Sequence, residues 1–171
     1  MRVIGIDPGS RLTGYGVIER VGSRLCHVAS GCLRLPLDGG MSRRLAALYD
    51  GLGGILEATG PIEAAVEKVF FARNAQSALT LGQARGVAVL SLARHGIPVS
   101  EYSALEIKQA VVGRGRAEKT QVQHMVRALL GLTRAPQADA ADALACAICH
   151  LHLSESRRRI AAGARAAEAR T

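Results

Sequence analysis

The stretch Ile4-Gly5-Ile6-Asp7-Pro8-Gly9-Ser10 ends an apolar run in a single carboxylate and turns at once. Pro8 presets one backbone angle and Gly9 relieves the steric limits on the next, so a tight turn is predicted there. A second apolar run, Tyr15 to Ile18, follows at hairpin distance. The pattern commits the chain to an antiparallel strand pair at its start, with Asp7 at the mouth of the first strand. A side chain there is held by a rigid element and can be placed accurately. Taken alone, Asp7 is equally readable as a turn former, because Asp is common before Pro-Gly.

The rest of the chain alternates strands with helices. Arg24 to Leu35 reads as a third strand and Leu37 to Gly40 as a turn. From Met41-Ser42, the residues Leu45, Leu48, Leu52, Ile55 and Leu56 fall on one face of a helix. Gly51, Gly53 and Gly54 weaken that helix and Gly60-Pro61 ends it. Ile62 to Val69 is a short strand carrying Glu67 near its end, followed by the loop Phe70-Phe71-Ala72-Arg73-Asn74. Ala75 to His95 is a long helix closed by Gly96 and Pro98. On it Ala78, Gly82 and Gly86 recur four apart, a smooth stripe for either internal packing or a subunit contact. Ile97 to Tyr102 is a strand. Ser103-Ala104-Leu105-Glu106 is a capping box that starts a helix through Val112. A basic loop, Gly113 to Arg116, leads into an amphipathic helix from Glu118 to Leu132. A last helix runs from Gln137 to about Leu153. The order predicts an α/β fold, a mixed sheet with helices on both faces. Residues 1–153 form one domain, and residues 154–171, rich in Ala and Arg without a core pattern, are expected to be a mobile basic tail.

Composition narrows the partners. The chain has 171 residues, a length suited to one domain at roughly 150 residues per domain. With 22 basic and 14 acidic residues, the net charge of +8 favours an anionic partner, nucleic acid first. The start is a strand pattern, with no secretory signal pattern, and no apolar run is long enough to span a membrane. A cytoplasmic protein is expected, its four cysteines held as thiols in a reducing compartment.

The last helix opens Ala138-Asp139-Ala140-Ala141-Asp142. Aspartates three apart share a helix face, and the first turn favours anions. That alone is ordinary. Here, however, both continue the apolar stripe Cys146, Cys149, Leu153, and carboxylates on such a stripe repel unless a cation neutralises them. Asp7, Glu67, Asp139 and Asp142 are thus the carboxylates placed at ends of apolar elements. Brought together, they make an all-oxygen site suited to Mg²⁺ or Mn²⁺ and unsuited to zinc. A carboxylate cluster in a basic protein fits two-metal phosphodiester hydrolysis.

A second pattern competes. Cys146-Ala147-Ile148-Cys149-His150 has the spacing of c-type haem attachment, and with His152 it also suggests zinc. The motif lies mid-helix in an apolar run, its histidines on other faces from the cysteines, and Cys is commonly a buried residue. It is therefore read as core.

The segments IGIDPGSRLTGYGVI, AVEKVFFARNAQSALTLGQARGVA, VVGRGRAEKTQVQHMV and PQADAADALA resemble the RuvC family of Holliday-junction resolvases, from Met1 to about Leu153. The resemblance implies a ribonuclease H-like fold, a homodimer, and Mg²⁺-dependent symmetric nicking of four-way DNA junctions in recombination and repair. It also implies work alongside the RuvA–RuvB branch-migration complex. Asp7, Glu67, Asp139 and Asp142 match the family's catalytic carboxylates. Lys108 and Lys119 match basic residues of its DNA cleft, and Phe70 an aromatic of the loop that meets the junction. On the residues themselves, Phe70 suits stacking on unpaired bases, with Phe71 kept inside. Arg114 and Arg116 suit backbone phosphates, where they add affinity without sequence choice.

Three other readings stand beside this one. An actin-like or sugar-kinase-like phosphotransferase opens similarly but needs two lobes, too much for this length. A junction-binding module that does not cut leaves the carboxylates unexplained. A nuclease of the same fold acting on RNA shares the metal site and differs in the DNA-facing loops.

Overall fold

The computed structural model describes residues 1–68 and 74–168, with side chains as far as Ser154. The opening hairpin is β1 (Arg2–Asp7) and β2 (Leu12–Val21), and β3 (Arg24–Arg34) continues the antiparallel meander. Then come α1 (Gly40–Thr59), β4 (Glu63–Glu67), α2 (Ala75–Arg94), β5 (Val99–Tyr102), α3 (Ala104–Val112), α4 (Lys119–Leu129) and α5 (Ala138–Glu168). The sheet order is β3-β2-β1-β4-β5, with β4 parallel to β1 and β5 parallel to β4. β1 sits in the middle with both faces covered, which is why Val3, Ile4 and Ile6 form an almost unbroken apolar run, all fully buried.

Strand alternation sends the two faces to different helices. Ile4, Ile6, Val17, Ala64 and Val66 pack against Leu48, Leu52 and Leu56 of α1 and Ala84, Ala88 and Leu92 of α2. Val3, Ile18, Ala65 and Tyr102 pack against α3, α4 and α5. The expected mixed sheet with helices on both faces is the observed one.

Local chemistry explains most boundaries. The Ser103 hydroxyl accepts from the Glu106 backbone N–H and the Glu106 carboxylate accepts from Ser103, the predicted capping box. Asn74 caps α2 by accepting from the Ser77 N–H at 2.8 Å. Gly60, in the left-handed conformation with φ 56°, closes α1 after its glycines, and the helix runs through Gly51, Gly53 and Gly54.

Several expectations need correction. α4 begins at Lys119, because Glu118 is its cap, pairing with Gln121. It also ends earlier, at Leu129. α5 continues to Glu168, past the end expected near Leu153. Ala and Arg sustain helix by propensity where no core pattern exists. The stripe on α2 is not internal. Ala78, Gly82 and Gly86 are exposed, and a Cβ on either glycine would touch nothing within 4 Å. Among the described residues, no helix is long and apolar enough to cross a membrane.

Candidate active site

Asp7 ends β1 and Glu67 ends β4, and the parallel register that pairs Ile6 with Val66 sets the two carboxylates side by side at the C-terminal ends of two interior strands. By alternation both share the face of Gly5 and Ala65, the face covered by α5. Asp7 pairs in register with Gly14 and Gly5 with Gly16, so the first two strands offer only glycines around the aspartate on this face. α5 uses that space. A Cβ on Gly14 would run into the Asp139 carbonyl, and one on Gly5 into the Ala143 carbonyl. The start of α5, with Asp139 in its first turn and Asp142 in its second, not both in the first as expected, is thereby seated over Asp7 and Glu67. The Thr13 hydroxyl fastens the turn after Asp7, donating to the Gly9 carbonyl at 2.9 Å and accepting from the Gly9 N–H at 3.2 Å.

The electrostatics follow from this crowding. Burial, then the negative charges of Glu67, Asp142 and Asp139, push the Asp7 carboxyl up to about 7, with Lys119 acting against the rise. Burial and Asp142 also raise Glu67, opposed by Lys119 and Lys108. Lys119 is held above its ordinary value by its hydrogen bond to Asp142, Nζ to Oδ2 3.1 Å. Glu67, Asp142, Lys108 and Lys119 line a cleft of about 170 Å³ with Ala104, Ile107 and Val122. The lining carries two carboxylates and two ammonium groups, Lys119 being bonded to Asp142.

The four expected carboxylates are thus within electrostatic reach of one another, and two of the expected cations stand beside them. Arg114 and Arg116 lie exposed on the loop between α3 and α4, outside that cleft. Phe70 and Phe71 fall outside the described residues. Among the described residues, no three His, Cys, Asp or Glu side chains converge tightly enough to enclose an ion. The donor set itself, all carboxylate oxygen with surplus negative charge, fits a hard divalent cation.

Three features lie beyond the sequence reading. Thr13 was signalled only by its spacing from Gly9. Cys32 on β3, half-buried opposite Gly14, has its thiol pushed up by burial first and then by Asp139, with a backbone hydrogen bond from Ala140 acting the other way. His150, from the discarded haem-like motif, is buried between Tyr102 and Glu63. Cys146 and Cys149 are core residues, and none of the cysteines forms a disulfide among the described residues.

Residues 3–150 match the family described as crossover junction endodeoxyribonuclease RuvC. A protein of that name from Hahella chejuensis is 56% identical over 160 residues, covering 94% of this chain and 92% of its own. One from Francisella philomiragia is 52% identical over 170 residues, covering 99% of each. The structure of Thermus thermophilus RuvC in complex with a Holliday junction substrate superposes with a TM-score of 0.85 at 33% identity, over 90% of this chain and 94% of that one. With the match extending from β1 into α5, and with relatives this similar over nearly their full lengths, the chain belongs to the RuvC family of crossover junction endodeoxyribonucleases.

Proposed function

We propose that this chain resolves four-way DNA junctions by metal-dependent hydrolysis of one phosphodiester on each of two strands, in recombination and repair. The observation that carries the reading is the electrostatically coupled cluster Asp7, Glu67, Asp139 and Asp142, of which Glu67 and Asp142 line one cleft together with Lys108 and Lys119. These four carboxylates would hold Mg²⁺, or Mn²⁺ in its place, which would supply activation of the attacking water and stabilisation of the leaving oxygen. Asp7 and Glu67 come from rigid strands and fix the cluster's floor. Asp139 and Asp142 come down from α5 and close it. Lys119 neutralises Asp142 until DNA arrives, then offers its ammonium to the scissile phosphate. Lys108, set back in the cleft wall, meets a neighbouring phosphate. Arg114 and Arg116 hold backbone phosphates further out and make binding salt-sensitive. Phe70 stacks on unpaired bases at the junction centre.

Cutting both strands requires two sites, and a twofold dimer matches a twofold junction. The outward face of α2 supports that arrangement. It carries the exposed Ala78, Gly82 and Gly86 together with Leu79 and Leu90, at 60% and 52% exposure. The reading places the chain in the cytoplasm, beside the RuvA–RuvB complex.

The test is cleavage of a synthetic four-way junction with Mg²⁺ and with EDTA, beside linear duplex and an RNA–DNA hybrid. Paired nicks are expected on the junction alone, and only with Mg²⁺. Asp7→Asn is expected to bind the junction normally and to cut it at least about a hundredfold more slowly. Binding without cutting under every divalent ion would leave a junction-binding module. Cutting of the hybrid instead would keep the metal site and change the substrate.

A further inference from the structure

His150 sits on α5, the helix that carries Asp139 and Asp142, and it is almost fully buried. Its Nε2 lies 2.6 Å from Glu63 Oε2 and its Nδ1 2.9 Å from Tyr102 Oη. One proton arrangement satisfies all three groups: Nε2–H donates to the Glu63 carboxylate, and the Tyr102 hydroxyl donates to Nδ1. The rings of Tyr102 and His150 meet edge to face, with centroids 5.8 Å apart.

The spacing along the two elements is informative. Glu63 and Glu67 are four apart on β4 and share its α5-facing side, a separation of about 13 Å. Asp142 and His150 are eight apart on α5, about 12 Å and within a quarter turn. The helix and the strand therefore meet at two rungs whose spacing is nearly the same along both elements. At one rung His150 bonds to Glu63. At the other, Glu67 faces Asp142, and like charges push the elements apart. Tyr102 ties the rungs together. Its backbone pairs in register with Glu67, while its hydroxyl reaches His150.

We infer that Glu63, His150 and Tyr102 form a positioning clamp that holds α5 against β4, so that Asp142 and Glu67 stay close enough to share a cation despite their repulsion. None of the three touches the reacting atoms. Each acts through the carboxylates one rung away, and the inference rests on the metal-site reading above.

Titration of full-length protein with Mn²⁺ by calorimetry, paired with junction cleavage across a Mn²⁺ series, tests it. Glu63→Leu and His150→Leu are expected to weaken Mn²⁺ binding at least about tenfold, as loss of supporting partners does at metal sites. Cleavage at saturating Mn²⁺ and junction binding in EDTA are expected to recover the unaltered values. Glu63→Gln keeps an oxygen for the Nε2–H bond and is expected to restore most of the affinity. Folded leucine variants with unaltered Mn²⁺ affinity would overturn the clamp, because a plain core contact moves the melting temperature and not the metal half-saturation. If the leucine variants fail to fold, Tyr102→Phe decides. It removes one hydroxyl, a measurable loss of Mn²⁺ affinity is expected, and an unchanged affinity overturns the proposal. Unaltered protein that binds no Mn²⁺ would instead sink the metal-site reading itself.

Discussion

On the sheet face covered by α5, β1 and β2 present Gly5, Gly14 and Gly16, and the helix lies against strand backbone. On the opposite face, the same strands present Ile4, Ile6, Tyr15 and Val17, and α1 and α2 are held off by those side chains. The second contact is ordinary aliphatic packing, which can absorb small changes by rotamer shifts. At Gly5 and Gly14 the first has no strand side chain to adjust, because α5 backbone lies directly against them. A helix resting on backbone is fixed in height and register, and this is the helix that delivers Asp139 and Asp142. The face that positions chemistry is thus the one with the least side-chain volume.

Adding one methyl to each face separates the two modes. Gly14→Ala drives a Cβ into the Asp139 carbonyl. We expect a loss of about 3 kcal/mol or more in urea unfolding. Cleavage by the remaining folded protein should fall about a hundredfold as Asp139 shifts. Normal stability and cutting would dissolve the contrast. Leu52→Ala opens a cavity on the other face, where Leu52 is fully buried. It should cost about 2–5 kcal/mol while leaving cleavage per folded molecule unchanged.

Acidity sharpens the comparison further, because the α5 face gathers the four coupled carboxylates. Asp7 titrates near 7 in the fold, against an ordinary value of 3.8. The folded state therefore keeps a proton that the unfolded chain has lost. The stabilisation is complete below the unfolded value and disappears as pH rises through about 7. Glu67 shifts the same way. In EDTA, stability should fall by on the order of a few kcal/mol between about pH 4 and pH 7, read from thermal melts. Asp7→Asn should flatten that slope. A melting temperature that rises across this window, in the unaltered protein, would contradict the crowding of carboxylates.

The smallest effect belongs to Lys119, whose side chain is 80% exposed despite its contact with Asp142. Lys119→Met should change stability by under about 1 kcal/mol, yet slow junction cleavage clearly. A large drop in melting temperature with normal cutting would recast the lysine as structural.

Much of this was legible in the sequence because its causes are local. The Asp7-Pro8-Gly9 turn, the Ser103–Glu106 box and the Gly60 stop each act within a few residues. The four carboxylates stood out because each lies at an end of an apolar element, Asp7 and Glu67 closing strands and Asp139 and Asp142 opening a helix. What stayed hidden depends on partners far away in the chain. Gly5, Gly14 and Gly16 look like weak strand residues until an alanine-rich helix is laid across them. His150 sat in a misleading Cys-x-x-Cys-His frame, and its partner Glu63 looks like any surface acid. The stripe on α2 could not reveal which way it faced. The end of α5 has no apolar period to mark it, because propensity alone carries the helix on to Glu168.

The placement of the site on the first strand and the last helix also governs when it exists. As the chain leaves the ribosome, β1 to β5 with α1 and α2 can bury one side of the sheet early. The other side waits, its glycine surface bare, until α5 emerges. The slowest contacts to close are those spanning the greatest length of chain, and here they are the ones that complete the carboxylate cluster. The carboxylate cluster is consequently complete only once α5 has been made and seated against β1 and β4.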